Sequence, residues 1–324
     1  MRRIIWYVLV LAITGCRDDY GRVSRRATGT ERGFVAVVGV SEGDSLWPVI
    51  RSAARQHADD FRPLTIRTEA PPMRSSNAQI QLLQKLQRER VRGVCVDVDD
   101  PEALAPALEA LRSAGVVVVT MRLPVPGHTP FLHSGIVAQE AGALLADLAA
   151  EALQQHGTLA LVVPEGLPFF DQGRDGFERK IATYSNVQML PTLACPRDTA
   201  KAQRLVDACA QRFPRLDAWA LLDARLLEPD AGTLLSLPAG ARFVTLGMTP
   251  AIRARLADGT CAAAVEADYN QMVVKALELC AMTARGLMTG YQTYEVPLRA
   301  VRGHEAGTPA PGAGEQPETT AKTP

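Results

Sequence analysis

The sequence has no excess of charge of either sign: 35 Lys and Arg balance 35 Asp and Glu over 324 residues. That balance excludes a surface built for nucleic acid, which needs a clustered positive excess. Histidine is scarce, at five, and none of the six cysteines forms a CxxC pair or stands beside a histidine. No metal or other cofactor is therefore expected. His128 and His133 lie in a proline-rich loop at a spacing that is not helical, which is the wrong frame for a metal pair. A membrane-spanning run is missing too. The N-terminal apolar stretch, Ile4 to Gly15, would make about 18 Å of helix against a hydrocarbon core of about 30 Å.

What that stretch offers instead is a processing signal. MRRIIWYVLVLAITGC places a basic start before an apolar run and ends in Gly15-Cys16. This resembles the bacterial lipobox, in which the cysteine is lipidated and becomes the mature N-terminus, so residues 1–15 are expected to be a lipoprotein signal peptide and Cys16 an anchor on the extracytoplasmic face of the cell envelope. Residues 16–33 are polar and charged and read as a flexible tether. Residues 302–324 are rich in Pro, Gly and Thr, carry no large apolar group, and read as a disordered tail. Setting Cys16 aside leaves Cys95, Cys195, Cys209, Cys261 and Cys280. Their odd number requires a free thiol, with Cys95 its natural candidate, and leaves Cys195–Cys209 or Cys261–Cys280 open as pairs.

The roughly 270 residues between the ends suit two lobes better than one. FVAVVGV, LTIRT, VRGVCVDV and VVVV read as strands alternating with helices over 48–59, 77–90 and 101–114. The third helix is well punctuated, with Asp100 as its cap, Pro101 in its first turn and Gly115 beyond its end. After the Pro-rich segment LPVPGHTP the alternation resumes. Strands are predicted at 158–163, 187–191, 217–222, 242–247 and 261–266, and helices at 172–184, 198–213, 225–235, 250–258 and 270–285. TYEVPLRAV supplies a last strand. Continuous apolar strands between amphipathic helices mean parallel sheets covered on both faces, hence an α/β fold of two doubly wound lobes. In such sheets ligands bind beyond the carboxyl ends of the strands.

The run VRGVCVDVDDPEALAPALEALRSAGVVVVTMRLP resembles the type I periplasmic sugar-binding proteins, the ribose- and galactose-binding group of ABC transporters, whose fold is shared by LacI-type ligand domains. RDGFERKI, FPRLDAWALLD and VEADYNQMVVKALEL extend the likeness from about Phe34 to Val301. The resemblance implies a hinge of three crossings near 126–135, 266–269 and 294–297. The first lobe would then hold 34–130 plus 269–293, and the second 131–268 plus 294–301. It also implies closure around a small polar, sugar-like ligand, and a membrane permease or receptor as partner.

The same resemblance implies which residues meet the ligand. Trp47 would stack on it and Asp44 accept hydrogen bonds in the first loop. Arg122 would donate at the end of the fourth strand, where Met121 removes the usual acid. Asp171 stands where the group carries an arginine, Asp223 follows DAWALL, and Thr249 and Glu266 complete the set, with Ala267 in place of a glutamine. With Asp44, Asp171, Asp223 and Glu266 against Arg122, a modified or cationic sugar is expected. Two other readings compete. The same fold could serve a sensory or partner-presenting lipoprotein with no transport role. Gly39-Val40-Ser41-Glu42-Gly43 matches the G-x-S-x-G elbow of a Ser-dependent hydrolase, but it ends the first strand, where a binding fold has its first ligand loop. The chain is therefore read as a binding protein, not an enzyme.

Overall fold

A computed structural model describes residues 33–127, 130–196, 198–228 and 235–303. The signal peptide, most of the tether, Cys16, His128 and the tail beyond Gly303 lie outside the described residues. The chain builds β1 (Phe34–Val38), α1 (Trp47–Gln56), β2 (Thr65–Glu69), α2 (Ser76–Arg88), β3 (Gly93–Asp97), α3 (Pro101–Ser113), β4 (Val117–Arg122) and β5 (Leu132–Gly135). It continues with α4 (Ala138–Ala152), β6 (Gly157–Pro164), α5 (Pro168–Ile181), β7 (Val187–Met189), β8 (Leu193–Cys195), α6 (Thr199–Arg212), β9 (Ala218–Leu221) and β10 (Phe243–Leu246). The last elements are α7 (Pro250–Ala257), β11 (Cys261–Ala267), α8 (Tyr269–Ala284), β12 (Thr293–Glu295) and β13 (Leu298–Arg302).

The strands form two sheets. The first runs β12-β5-β4-β3-β1-β2 and is parallel throughout. The second runs β13-β11-β10-β9-β6-β7, with β8 also on β6 and only β13 antiparallel. Strand alternation divides each core cleanly. Val35, Val37, Cys95, Val119 and Met121 pack on one face of the first sheet with α1 and α8, while Ala36, Val38, Val94, Val96 and Val118 pack on the other with α2 and α3. In the second sheet Ala160, Val162, Trp219 and Leu221 meet α6 and α7, and Leu159, Leu161, Ala220 and Val265 meet α4 and α5. Asp100 caps α3 as its sequence requires, accepting from Ala103 N at 3.1 Å.

Three crossings join the sheets. The first comes at 136–137, the second at 268 between β11 and α8, and the third at 296–297 between β12 and β13. They are bonded to one another: Val296 N donates to Gly135 O at 2.8 Å and Asp268 N to Pro297 O at 3.3 Å. Several expectations are corrected. Leu132–Gly135, placed by sequence in the second lobe, pairs with β4 and β12 in the first sheet. TYEVPLRAV is two strands in different sheets, broken at Val296-Pro297, because Pro297 has no N–H to give a ladder. The strand then runs past Val301 to Arg302, which bonds to Glu151. The helix predicted at 225–235 is only a 3-10 turn at 224–227 among the described residues. α4, β5 and β8 went unpredicted.

All five cysteines outside the N-terminal segment are free and buried, so neither suggested pair forms. Cys261 belongs to the core of the second sheet and Cys280 to that of the first, which keeps them apart. Burial pushes the thiols of Cys95, Cys195, Cys209 and Cys261 up, Cys195 to about 11 and Cys261 to about 12. Such thiols stay protonated and inert.

Candidate functional site

The crossings bring the carboxyl ends of the two sheets face to face, and a cleft lies between them. It is lined from the first lobe by Leu46, Arg122, Leu123, Ile136 and Tyr269, and from the second by Phe169, Phe170, Leu222, Asp223, Ala224, Arg225, Leu246, Gly247, Thr249, Val265 and Ala267. The cavity between the lobes is about 50 Å³. At roughly 10–15 Å³ per water-sized group it has room for about four such groups. A larger depression of about 410 Å³, lined by Asp147, Glu151, Gln154, Gln155 and Tyr184, is a poorer site, since Asp147 and Glu151 are already taken by Lys180 and Arg302.

The charges sit in three Arg–Asp pairs. Arg122, at the last position of β4 with φ 63°, turns its guanidinium back to Asp97, Nε to Oδ1 at 2.8 Å, and donates through Nη2 to Val98 O at 2.9 Å. Arg74 donates to Asp99. Asp223 caps the 3-10 turn at 224–227 and grips the second residue of that turn: Arg225 donates Nε to Oδ1 at 3.1 Å and Nη2 to Oδ2 at 2.8 Å. Gln79, fully buried, pins the loops behind these pairs by donating to Gly39 O at 3.1 Å and Asp97 O at 2.7 Å.

Burial and charge compete at each carboxylate. Burial resists ionisation of Asp223, but Arg225, aided by Arg122, outweighs it and holds the pKa below the usual range. Asp99 is likewise lowered, burial being overcome by Arg74, Arg225 and Arg122. Asp97 goes the other way: burial pushes it up, Arg122 offsets only part of this, and Asp44 adds to the push. Burial works against the charge of Arg225 too, yet Asp223 together with Asp44 and Asp99 of the opposite lobe raises its pKa. Tyr269 is pushed up to about 12 by burial and keeps its proton.

Arg225 is only 6 % exposed, and its Nη1 is buried without a hydrogen-bond partner; Nη1 of Arg74 is in the same condition. A buried donor left unmade costs about 1–3 kcal/mol. The site therefore holds an unmet demand for acceptor oxygens.

Of the seven ligand-binding residues expected from sequence, Arg122, Asp223 and Thr249 line the cavity. Thr249 is spent structurally, capping α7 through Ile252 N and donating to Glu228. Asp44 is buried behind Leu46, whose N–H it accepts at 2.9 Å, and acts on the cleft through its charge. The other three are elsewhere. Trp47 packs over Gly39 in the core under α1, with its ring atoms 2.4 Å from where a Gly39 Cβ would stand. Asp171 is exposed on α5 and paired with Arg174 at 3.1 Å. Glu266 is held by Arg253 at 3.1 Å and by Arg299 Nε at 2.7 Å. Asp171 and Glu266 lie elsewhere, and Asp97, Asp99 and Asp223 each face an arginine, so the four-to-one excess of acids that suggested a cationic ligand shrinks to Asp44 alone. Met121 is also no objection to ligand binding, since it is a core residue on the far face of β4.

Sequence reasoning missed Arg225, Phe169 and Phe170. The rings of Phe169 and Phe170 meet edge to face at 5.3 Å in the first turn of α5. Their signal was Leu167-Pro168-Phe169-Phe170, an aromatic pair at a proline-led helix start. Ser41 is buried after β1, and none of the described hydrogen bonds joins it to a histidine, the base that an elbow serine needs. His133 instead bonds Thr120 Oγ1 at 2.9 Å. Among the described residues no group of three or more His, Cys, Asp or Glu could hold a metal ion, and no helix is long and apolar enough to cross a membrane.

Residues 35–287 match the family described as periplasmic binding protein domain. No curated protein matches in a sequence search. Solved structures share the fold at low identity. A sugar-binding protein of a sugar ABC transporter from Bacillus halodurans aligns with TM-score 0.72 at 15 % identity, covering 86 % of this chain and 99 % of its own. An ABC transporter solute-binding protein from Burkholderia graminis in complex with D-arabinose gives 0.70 at 17 %, covering 86 % and 98 %. A periplasmic solute-binding protein from Actinobacillus succinogenes with bound D-allose gives 0.70 at 15 %, covering 85 % and 99 %.

Proposed function

The chain belongs to the periplasmic binding protein family, and on that premise we propose that it captures a small, sugar-like solute between its lobes for delivery to an ABC-type membrane permease. The observation that carries this reading is the interlobe cavity itself, walled by residues of both lobes, with the uncommitted Nη1 of Arg122 and the Asp223–Arg225 pair in its lining. The ligands bound in the structural neighbours, D-allose and D-arabinose, support the carbohydrate class. Hinge closure has a physical motive here: an open lobe leaves a polar ligand half solvated, whereas closure completes its hydrogen bonds and excludes water. No catalytic step is part of the proposal, and Ser41 has no role in it.

The N-terminal segment extends the reading to location. Cys16 is the lipid attachment point, and the charged segment after it holds the binding lobes off an extracytoplasmic membrane surface. Palmitate labelling of the full chain tests this, with labelling lost in Cys16→Ser. Solute binding is tested by isothermal titration with pentoses, hexoses and inositols. Saturable binding of one of these is expected; heat-silent titrations together with an unchanged melting temperature across the panel contradict it.

A further inference from the structure

Polar side chains are a minority of the cleft's lining and come from both lobes. They are Arg122, Asp223, Arg225, Thr249 and Tyr269, and most of their capacity is already used. Arg122 is committed to Asp97 and Val98 O, Asp223 to Arg225, and Thr249 to Glu228 and Ile252 N. What remains is Nη1 of Arg122, which carries no hydrogen bond, with the protonated hydroxyl of Tyr269 in the field of the same charges; Nη1 of Arg225 is unpartnered but buried. The rest of the wall is hydrocarbon: Leu46, Ile136, Phe169, Phe170, Leu246 and Ala267.

A fully hydroxylated sugar carries a polar group on nearly every carbon. Against this wall several of them would lose water and gain nothing. We infer that the ligand presents hydrocarbon to much of this wall and few hydroxyls, which within the sugars means a deoxy sugar. Its oxygens accept from Arg122 Nη1, and its methyl or methylene side lies against Phe169, Phe170 and Leu246. The ligand is uncharged in this reading, because each guanidinium of the cleft already faces its own carboxylate. The inference rests on the sugar-binding reading above and narrows it.

Matched pairs test it: L-fucose against L-galactose, L-rhamnose against L-mannose, and 2-deoxy-D-ribose against D-ribose, titrated into the purified full chain. In at least one pair the deoxy member is expected to bind tenfold or more tighter, equivalent to about 1.4 kcal/mol. If the hydroxylated member binds as tightly or tighter in every pair, this inference fails while the sugar reading stands. If no sugar of either kind binds, both fail. Ala267→Gln gives a second readout, since it adds an amide to the hydrocarbon wall and should shrink the deoxy preference at least threefold. An unchanged ratio would also overturn the assignment.

Discussion

Asp223 holds Arg225 through both carboxylate oxygens, two residues apart in one 3-10 turn, and leaves Nη1 of the arginine buried and unmet. The pair belongs to the second lobe, but the charge of Arg225 is also felt by Asp44 and Asp99 of the first. One side chain is thus held within its own lobe and is an electrostatic contact with the other.

Removing Asp223 strands a buried guanidinium. Asp223→Ala should cost about 3–5 kcal/mol of stability, read by urea unfolding. The exposed pair Asp171–Arg174 is the control: Asp171→Ala should cost less than about 1 kcal/mol and leave ligand affinity unchanged.

α4 and α5 approach closely enough for their backbones to touch. A Cβ on Gly142 would meet Gly173 O at 1.9 Å, and one on Gly176 would meet Gln139 O at 2.1 Å. Neither helix can yield without moving off the second sheet. Gly142→Ala and Gly176→Ala should each destabilise by about 1–3 kcal/mol, whereas Gly43→Ala, with open space around it, should stay within about 0.5 kcal/mol. Thermal unfolding checks all three.

His133 gives the molecule an acid-sensitive element. Burial lowers its pKa from 6.5 to about 4, with the imidazole bonded to Thr120. Below pH 6.5 the unfolded chain takes up a proton that the native state refuses. Stability is therefore full above 6.5, falls as pH drops toward 4, and loses about 3 kcal/mol in all from this group. Urea midpoints measured across that window should decline, and His133→Asn should flatten the decline.

Cysteine reactivity reports on the compactness of both cores. The native protein should leave Cys95, Cys195, Cys209, Cys261 and Cys280 unmodified by a thiol reagent, and denaturation should release all five. A disulfide among them, found by mass spectrometry after alkylation, would contradict the packing described above.

Much of this architecture could be read from periodicity. Apolar strands, amphipathic helices and caps such as Asp100 are local signals, and they gave the two doubly wound lobes. Strand alternation at Thr120-Met121-Arg122 also separates a core methionine from a cleft arginine, once the strand is extended to Arg122. What failed was non-local. Trp47 and Phe169-Phe170 each stand at the start of a helix, and only the packing of the lobes shows that the first turns under its own helix and the second faces the cleft. α4 was missed because its alanine-rich run has no side-chain cap at its start. Arg225 was passed over because an arginine is seldom fully buried; its burial depends on Asp223 and on the opposite lobe, which no single stretch of sequence displays.

The central claim, that the interlobe cleft at Arg225 is a solute site, is tested most directly by native mass spectrometry. Freshly purified protein is compared with Arg225→Ala before and after incubation with the sugar panel. One small-molecule adduct per chain is expected on the native sequence and should be absent from Arg225→Ala. An adduct that persists unchanged in the variant, or no adduct with any sugar on either protein, would contradict it.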